Sequence, residues 1–393
     1  AYSVSLSGFG SQAVTTGAVM NSKEFDDLYS YQGNDLGNTY SAAKTDFRVW
    51  APTAQSVKLV TYGNATAPAS TGTELAMTKS DKGTWTATLT GDQHGTIYTY
   101  QATVGGVARE AVDPYVRATT IEGDRGVVVD LAKTNPEKWT PGASSKPAFS
   151  GKPTDAIVYE THVRDLSIDA YSGIPVAHKG KFLAFTDWNT TTTQLVVNPK
   201  TKKKSVVATK NVSGVSAIKD TGITHVQLLP IYDYASVTEA NPSFNWGYDP
   251  MHYTVPDGSF ATDPNGSQRI VEFRSMVKGL AAAGLRTTMD VVYNHTSSSG
   301  QKTNSVLDKI VPGYYYRLTT SGTVETSTCC QNTASERTMM AKLIRDSIRT
   351  WAVDYKVDGF RFDLMGHHPK ALMVQIRKDL DALTISKNGV DGK

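Results

Sequence analysis

The hydrophobic rhythm of the chain changes once, and that change limits what it can fold into. Before about residue 140, apolar residues recur at every second position, as in Val57-Lys58-Leu59-Val60-Thr61-Tyr62, Trp85-Thr86-Ala87-Thr88-Leu89 and Ile97-Tyr98-Thr99-Tyr100-Gln101. Phe47-Arg48-Val49-Trp50 stops at Ala51-Pro52, and Val127-Val128-Val129 is a short continuous run. Turn residues separate these runs (Gly63-Asn64, Gly91-Asp92, Gly105-Gly106, Asp113-Pro114). Short alternating strands between turn signals predict a β-sandwich over 1–140. Proline, glycine, serine and lysine then crowd together, with Pro141, Pro147 and Pro153 punctuating a linker over 141–155.

From about residue 156 short apolar strands alternate with helical periodicity. Strands are predicted over 156–159, 224–230, 287–293 and 357–362, and helices over 214–222, 267–283, 334–355 and 369–383. Ile270, Phe273, Val277 and Leu280 fall on one face of the second helix; Met340, Leu343, Ile344, Ile348 and Trp351 on one face of the third. Such alternation is the signature of a parallel sheet with helical crossovers. The stretch 170–213 fits less well. It reads as an insertion with a hairpin about Asn198-Pro199, and Lys202-Lys203-Lys204 as a solvated turn.

Composition removes several functions. The 393 residues hold 40 Lys+Arg against 37 Asp+Glu, a formal charge of +3, without the basic footprint of a nucleic-acid binder. A 39% hydrophobic content with 6 Trp and 19 Tyr excludes disorder as the main state. No apolar run approaches the roughly 18 residues of a membrane span. The opening AYSVSLSGFG has no signal-peptide character, as a mature secreted chain would also lack, so extracellular and cytoplasmic locations both stay open. The chain has two cysteines, Cys329 and Cys330, and they are adjacent; two cysteines exclude a disulfide framework and any Cys-rich zinc site. They are either two thiols in a polar loop or a strained vicinal disulfide.

In parallel barrels functional side chains collect at the C-terminal ends of strands. Here those ends read Glu160-Thr161-His162, Asn294-His295 and Arg361-Phe362-Asp363. Glu160, on the first strand, reads as structural. Arg361 and Asp363 face one side because strand side chains alternate. An arginine beside a carboxylate favours its charged form, and a charged Asp in a cleft can act as a nucleophile; the same spacing also suits a structural ion pair. The loop Phe244-Asn245-Trp246-Gly247-Tyr248-Asp249-Pro250 offers flat aromatic surfaces for a sugar ring, or simply packs as a long loop. Trp50 and Trp85 read as core.

Taken together, DVVYNH (290–295), GFRFDLMGHH (359–368) and FNWGYDP (244–250) resemble glycoside hydrolase family 13, the α-amylase family, and within it the type I pullulanase branch of starch-debranching enzymes. Phe244 stands where that branch usually has Tyr. YQGNDLG (31–37), TDFRVWAPTA (45–54) and VDPYVRA (112–118) resemble carbohydrate-binding module family 48. The resemblance implies a fold of a β-sandwich domain followed by the first half, about four βα units over 156–393, of a (β/α)8 TIM barrel. It implies cleavage of α-1,6-glucosidic bonds in pullulan, amylopectin and related α-glucans by a retaining double displacement. Asp363 would be the nucleophile and Arg361 would orient it. His295 and Tyr248 would contact the sugar ring, Asp290 would brace the site, and Asp249 and His368 would line the cleft. Two carboxyl groups about 5–5.5 Å apart are then required, one attacking and one protonating the leaving oxygen.

That second group is normally a Glu after the fifth strand, and no Glu follows Asp363 in this chain. The expectation is therefore an N-terminal portion of a longer enzyme, inactive by itself, whose barrel a second polypeptide or a further segment completes. The alternatives are a non-catalytic glucan-binding fragment, or an isoamylase-like or branching-enzyme-like relative. No nucleotide or redox cofactor is implied. Some α-amylase relatives hold calcium through an Asn at the position of Asn294, which leaves a structural calcium ion open.

Overall fold

A computed structural model describes residues 3–13, 17–140 and 146–393. The alternating runs of the first part form two antiparallel sheets. One runs Gly37–Tyr40, Lys44–Trp50, Thr84–Thr90, Thr78–Lys79; the other Val107–Ala111, Ile97–Val104, Ser56–Tyr62, Thr73–Ala76, with Gly126–Val127 also paired to Ile97–Val104. Alternation places Phe47, Val49, Val57, Leu59, Tyr98, Tyr100 and Ala102 inside, all nearly inaccessible. Trp50 and Trp85 are buried too, their indole N–H groups donating to the carbonyls of Tyr29 and Ala51 at 2.8 and 3.1 Å.

The second part is a four-stranded parallel sheet in sequential order: β1 Val158–Thr161, β2 His225–Leu228, β3 Arg286–Val291 and β4 Gly359–Phe362. Helices α1 Gly214–Asp220, α2 Gln268–Ala282, α3 Thr338–Asp354 and α4 Lys370–Asp381 alternate with it. The helices arise from the predicted apolar faces: Ile270, Phe273, Val277 and Leu280 of α2 and Met340, Leu343, Ile344, Ile348 and Trp351 of α3 are all buried. Trp351 is fully enclosed, its centroid 5.2 Å from Phe273 and 4.5 Å from Tyr355, and its Nε1–H donates to Tyr253 O at 2.9 Å. The insertion is a hairpin of Thr191–Val197 and Lys204–Val212, with the three lysines exposed at its turn end. A second hairpin, Tyr232–Tyr234 with Pro250–Pro256, has no counterpart among the predicted strands. Its strands are nearly continuous in buried residues rather than alternating, so no period marks them.

β1 and β4 each have an open outer edge among the described residues. Ile157, Val158, Tyr159, Leu364 and Met365 are between 42 and 59% exposed there. The sandwich packs on α3 and on the segment before it: Arg117 binds Thr350 and Asp354 of α3, Tyr115 O–H donates to Asp346 of α3 at 3.1 Å, and Trp50 meets the ring of Tyr314, N-terminal to that helix, at 4.7 Å.

Candidate active site

The C-terminal ends of β3 and β4 converge on one charged network. Asp363 follows the last residue of β4, and its N–H donates to Val291 O at 2.9 Å, extending the ladder by one step. Arg361, in register with Asp290 across the two strands, donates through Nη1 to both Asp290 oxygens at 2.9 Å and to Asp363 Oδ1 at 3.0 Å. Tyr248 O–H donates to Asp290 Oδ2 at 2.7 Å. The Asp290 side chain is wholly buried, that of Asp363 is 17% exposed and that of Arg361 44%. The network therefore has a dry root and an open face.

Burial raises the Asp290 carboxyl above its usual range, although the bonds from Tyr248 and Arg361 pull the other way. Burial alone would lower the Arg361 guanidinium; its bond to Asp290, the charge of Asp290 and its bond to Asp363 outweigh this and hold it above its ordinary value. Burial, then the Asp290 bond, raises the Tyr248 phenol. His295 Nε2 lies 2.7 Å from Tyr248 O and its Nδ1 2.8 Å from Asn294 Nδ2. A carbonyl only accepts, so Nε2 carries the proton. Burial depresses this imidazole below its usual range, partly opposed by the Tyr248 carbonyl, so it is neutral at pH 7. The charge of Asp363 acts on both His295 and Tyr248.

The loop that carries Tyr248 is pinned at several points. Asn245 Nδ2 donates to Ser236 O and Oγ at 2.9 and 2.7 Å, and His162 Nε2 lies 2.8 Å from Asn245 O. Gly247 has φ of 83°, and a Cβ there would lie 2.7 Å from Pro230 O, so only glycine fits. Phe244 and Trp246 stay 44 and 59% exposed, edge to face at 5.7 Å beside this network's loop. Asp249 is partly buried against Ser236; burial raises its carboxyl and the Ser236 bonds oppose that.

Of the predicted site residues, Asp363, Arg361, Asp290, Tyr248 and His295 are thus brought together, and Asp249 adjoins them. His368 stands apart, 6% exposed, with Nδ1 2.9 Å from Ser335 Oγ and Nε2 buried without a partner. Burial, then His367, lowers it to about 4. Glu160 accepts from Gln227 Nε2 at 2.7 Å, a cross-strand bond between β1 and β2. Two features had no sequence signal. Leu364 adopts left-handed backbone (φ 44°, ψ 46°) immediately after Asp363, where glycine or asparagine would be expected. Arg317 clamps the following turn, donating to His367 O at 2.8 Å and pairing with Glu336.

Two antiparallel sheets followed by a four-stranded parallel sheet with alternating helices, and an Arg–Asp pair and a ring-bearing loop at the strand ends, define the architecture to which the following likenesses apply. Residues 35–116 match the model of carbohydrate-binding module 48, the isoamylase N-terminal domain. Across nearly its whole length the chain is similar to pullulanases. It is 40% identical to the pullulanase of Bacillus subtilis (strain 168) over 354 residues, 89% of this chain and 45% of that protein. The crystal structure of Anoxybacillus sp. LM18-11 pullulanase with maltotetraose superposes with a TM-score of 0.82 at 41% identity, covering 94% of this chain and 50% of the other. That of Bacillus acidopullulyticus pullulanase gives 0.84 at 40% identity, covering 97% and 44%. The chain spans half or less of each of these relatives. No helix among the described residues is long and apolar enough to cross a membrane.

Proposed function

We propose that the chain supplies the nucleophile side of a retaining debranching hydrolase that acts on α-1,6-glucosidic bonds of pullulan, amylopectin and related α-glucans. The observation that carries this reading is the Asp363–Arg361–Asp290–Tyr248 network at the open ends of β3 and β4. An Asp363 oxygen attacks the anomeric carbon, the glycosidic C–O bond breaks, and a covalent glycosyl-enzyme forms. Arg361 fixes the carboxylate through one oxygen and leaves Oδ2 available. Tyr248, tied to Asp290, presents its ring to the sugar, and neutral His295, its Nε2–H held by the Tyr248 carbonyl, contacts the ring being cleaved. Phe244 and Trp246 offer further stacking surface. Asp249 borders the cleft and His368 supports it from behind.

The leaving oxygen needs a proton donor, and that group comes from the second half of the barrel, on another segment or polypeptide. The open edges of β1 and β4 support this, since unpaired edges of a sheet this apolar invite further strands. So does the apolar trough of about 240 Å³ lined by Phe360, Phe362, Met365, Met373 and Ile376 between β4 and α4.

The test is complementation. The chain is refolded with the C-terminal half of the Bacillus subtilis pullulanase and assayed for reducing ends on pullulan. Turnover that neither half shows alone, and that Asp363→Asn abolishes, is expected. Turnover unaffected by that substitution refutes the assignment. Binding of starch without turnover in the mixture would favour the glucan-binding alternative, and failure on pullulan with activity on glycogen would favour an isoamylase-like one.

A further inference from the structure

The second hairpin buries a group of carboxyl side chains that the site above does not use. Asp233 stands on its first strand, Asp257 just beyond its second, and Glu239 on the 235–249 loop between them, the loop that also carries Tyr248. One oxygen of each lies within 4.8 Å of the others. Arg269 of α2, wholly buried, pairs with two of them, 3.4 Å from Asp233 Oδ1 and 3.2 Å from Glu239 Oε2. Three ionised carboxylates against one guanidinium would leave uncompensated charge in a dry pocket, and a buried carboxyl takes up a proton rather than bear that cost.

The donors around the group are committed. Glu239 Oε1 accepts from Gly258 N at 2.8 Å and Oε2 from Glu122 N at 2.7 Å. Asp257 accepts from the N–H groups of Ser259 and Tyr234. His252 Nε2 lies 3.7 Å from Asp233 Oδ2, but its proton goes to Gly123 O at 2.9 Å, and burial lowers this imidazole to about 4, so it is neutral. Lys181 donates to Ser259 O at 2.8 Å, and Glu122 and Asp124 of the sandwich bring only further negative charge toward Glu239. Asp233 Oδ2 is left buried without a hydrogen-bond partner. A Cβ on Gly123 would lie 2.8 Å from it, so the sandwich closes over this oxygen. The Asp233 and Glu239 carboxyl groups are within hydrogen-bonding reach of each other; burial first, then the Glu239 charge, raises Asp233 well above its usual range, with Arg269 opposing. Burial and Glu239 likewise push Asp257 up to about 7.

We propose that Asp233 and Glu239 share one buried proton, and that this proton acts as a pH-dependent clasp on the loop that carries Tyr248. Glu239 N–H donates to Glu122 Oε1 at 3.0 Å while Glu122 N–H donates to Glu239 Oε2, so the carboxyl that shares the proton also ties the loop to the sandwich. When the clasp opens, the Asp233 O–H bond breaks and the proton passes to water. The closed loop holds a proton that the open loop, with ordinary carboxyl groups, has released. Opening therefore becomes about tenfold easier with each pH unit from the usual carboxylate range up to the value at which the closed pair itself ionises. The consequence for glucan rests on the functional reading above: an open loop takes the Tyr248 ring away from the sugar.

The test is amide hydrogen exchange of the full chain between pH 5 and 8, read by mass spectrometry over 235–249 and corrected for the intrinsic exchange rate. Protection that falls about tenfold per pH unit is expected in the parent. Asp233→Asn puts a fixed N–H where the proton sits, and its protection over 235–249 should not change with pH. Far-ultraviolet circular dichroism checks that the variant is folded. The proposal is overturned if the parent's profile is flat, or if Asp233→Asn falls as steeply as the parent. Should the variant not fold, the parent's profile decides alone. Maltotetraose binding at pH 5 and 8 separates the two readings. Weaker binding at pH 8 in the parent but not in Asp233→Asn supports the consequence, equal binding removes it, and absence of any maltotetraose binding sinks the glucan reading while the exchange data still judge the clasp.

Discussion

The bond between Tyr248 and Asp290 can be weighed by a double-mutant cycle with Tyr248→Phe, Asp290→Ala and the pair. Asp290→Ala alone does two opposite things. It removes a wholly buried carboxylate, whose raised pKa shows that its partners do not fully offset the cost of taking its charge out of water. It also strips Arg361 of two contacts at 2.9 Å and Tyr248 of one at 2.7 Å. The single variant can therefore shift stability either way, whereas the coupling isolates the Tyr248–Asp290 term. A hydrogen bond to a charged group contributes roughly 1.5–3 kcal/mol. Asp290 is dry, but Tyr248 is only partly buried and Arg361 is 44% exposed, so the lower end applies and a coupling of about 1.5 kcal/mol is expected. Urea unfolding followed by tryptophan fluorescence measures all four corners. A coupling below about 0.5 kcal/mol would show that the phenol is not anchored by this carboxylate, and the positioning of the ring would need another cause.

Other expectations follow from single sites. Gly247→Ala should cost about 1–3 kcal/mol, because φ is 83° and the new Cβ meets the Pro230 carbonyl; thermal melting checks it, and an unchanged melt refutes the steric argument. Trp351→Ala, at a fully enclosed indole, should cost about 3–5 kcal/mol in urea unfolding. His368 is depressed to about 4 from 6.5, so the unfolded chain takes up its proton first as pH falls and stability drops between those values. His368→Gln should therefore lose about 2 kcal/mol less than the parent between pH 7 and 4.5, since each pH unit across the window is worth about 1.36 kcal/mol; equal losses would place the titration elsewhere.

The sandwich and the four βα units were legible because their residues obey one period each. Phe47 and Val49, or Ile270, Phe273 and Val277, can only bury themselves together in one conformation. The hairpin of Tyr232–Tyr234 and Pro250–Pro256 escaped because both of its faces are covered, and burial on both faces erases alternation. Within the site, Arg361 and Asp363 were readable as a pair from their spacing, but Asp290 as the second partner of the same guanidinium depends on the β3–β4 register. Two-residue spacing along a strand is local; register across strands is set by packing. The approach of Cys329 to His295, residues 34 positions apart, is likewise invisible to composition, which showed only two adjacent sulfurs.

Leu364 puts a backbone cost on the turn that follows Asp363. A left-handed leucine costs roughly 1–2 kcal/mol, and here its side chain remains 50% bare, so little packing repays the strain. Glycine at 364 would release that cost while the Asp363 N–H stays on Val291 O and its Oδ1 on Arg361, so the turn, and not the carboxylate's anchorage, carries the strain.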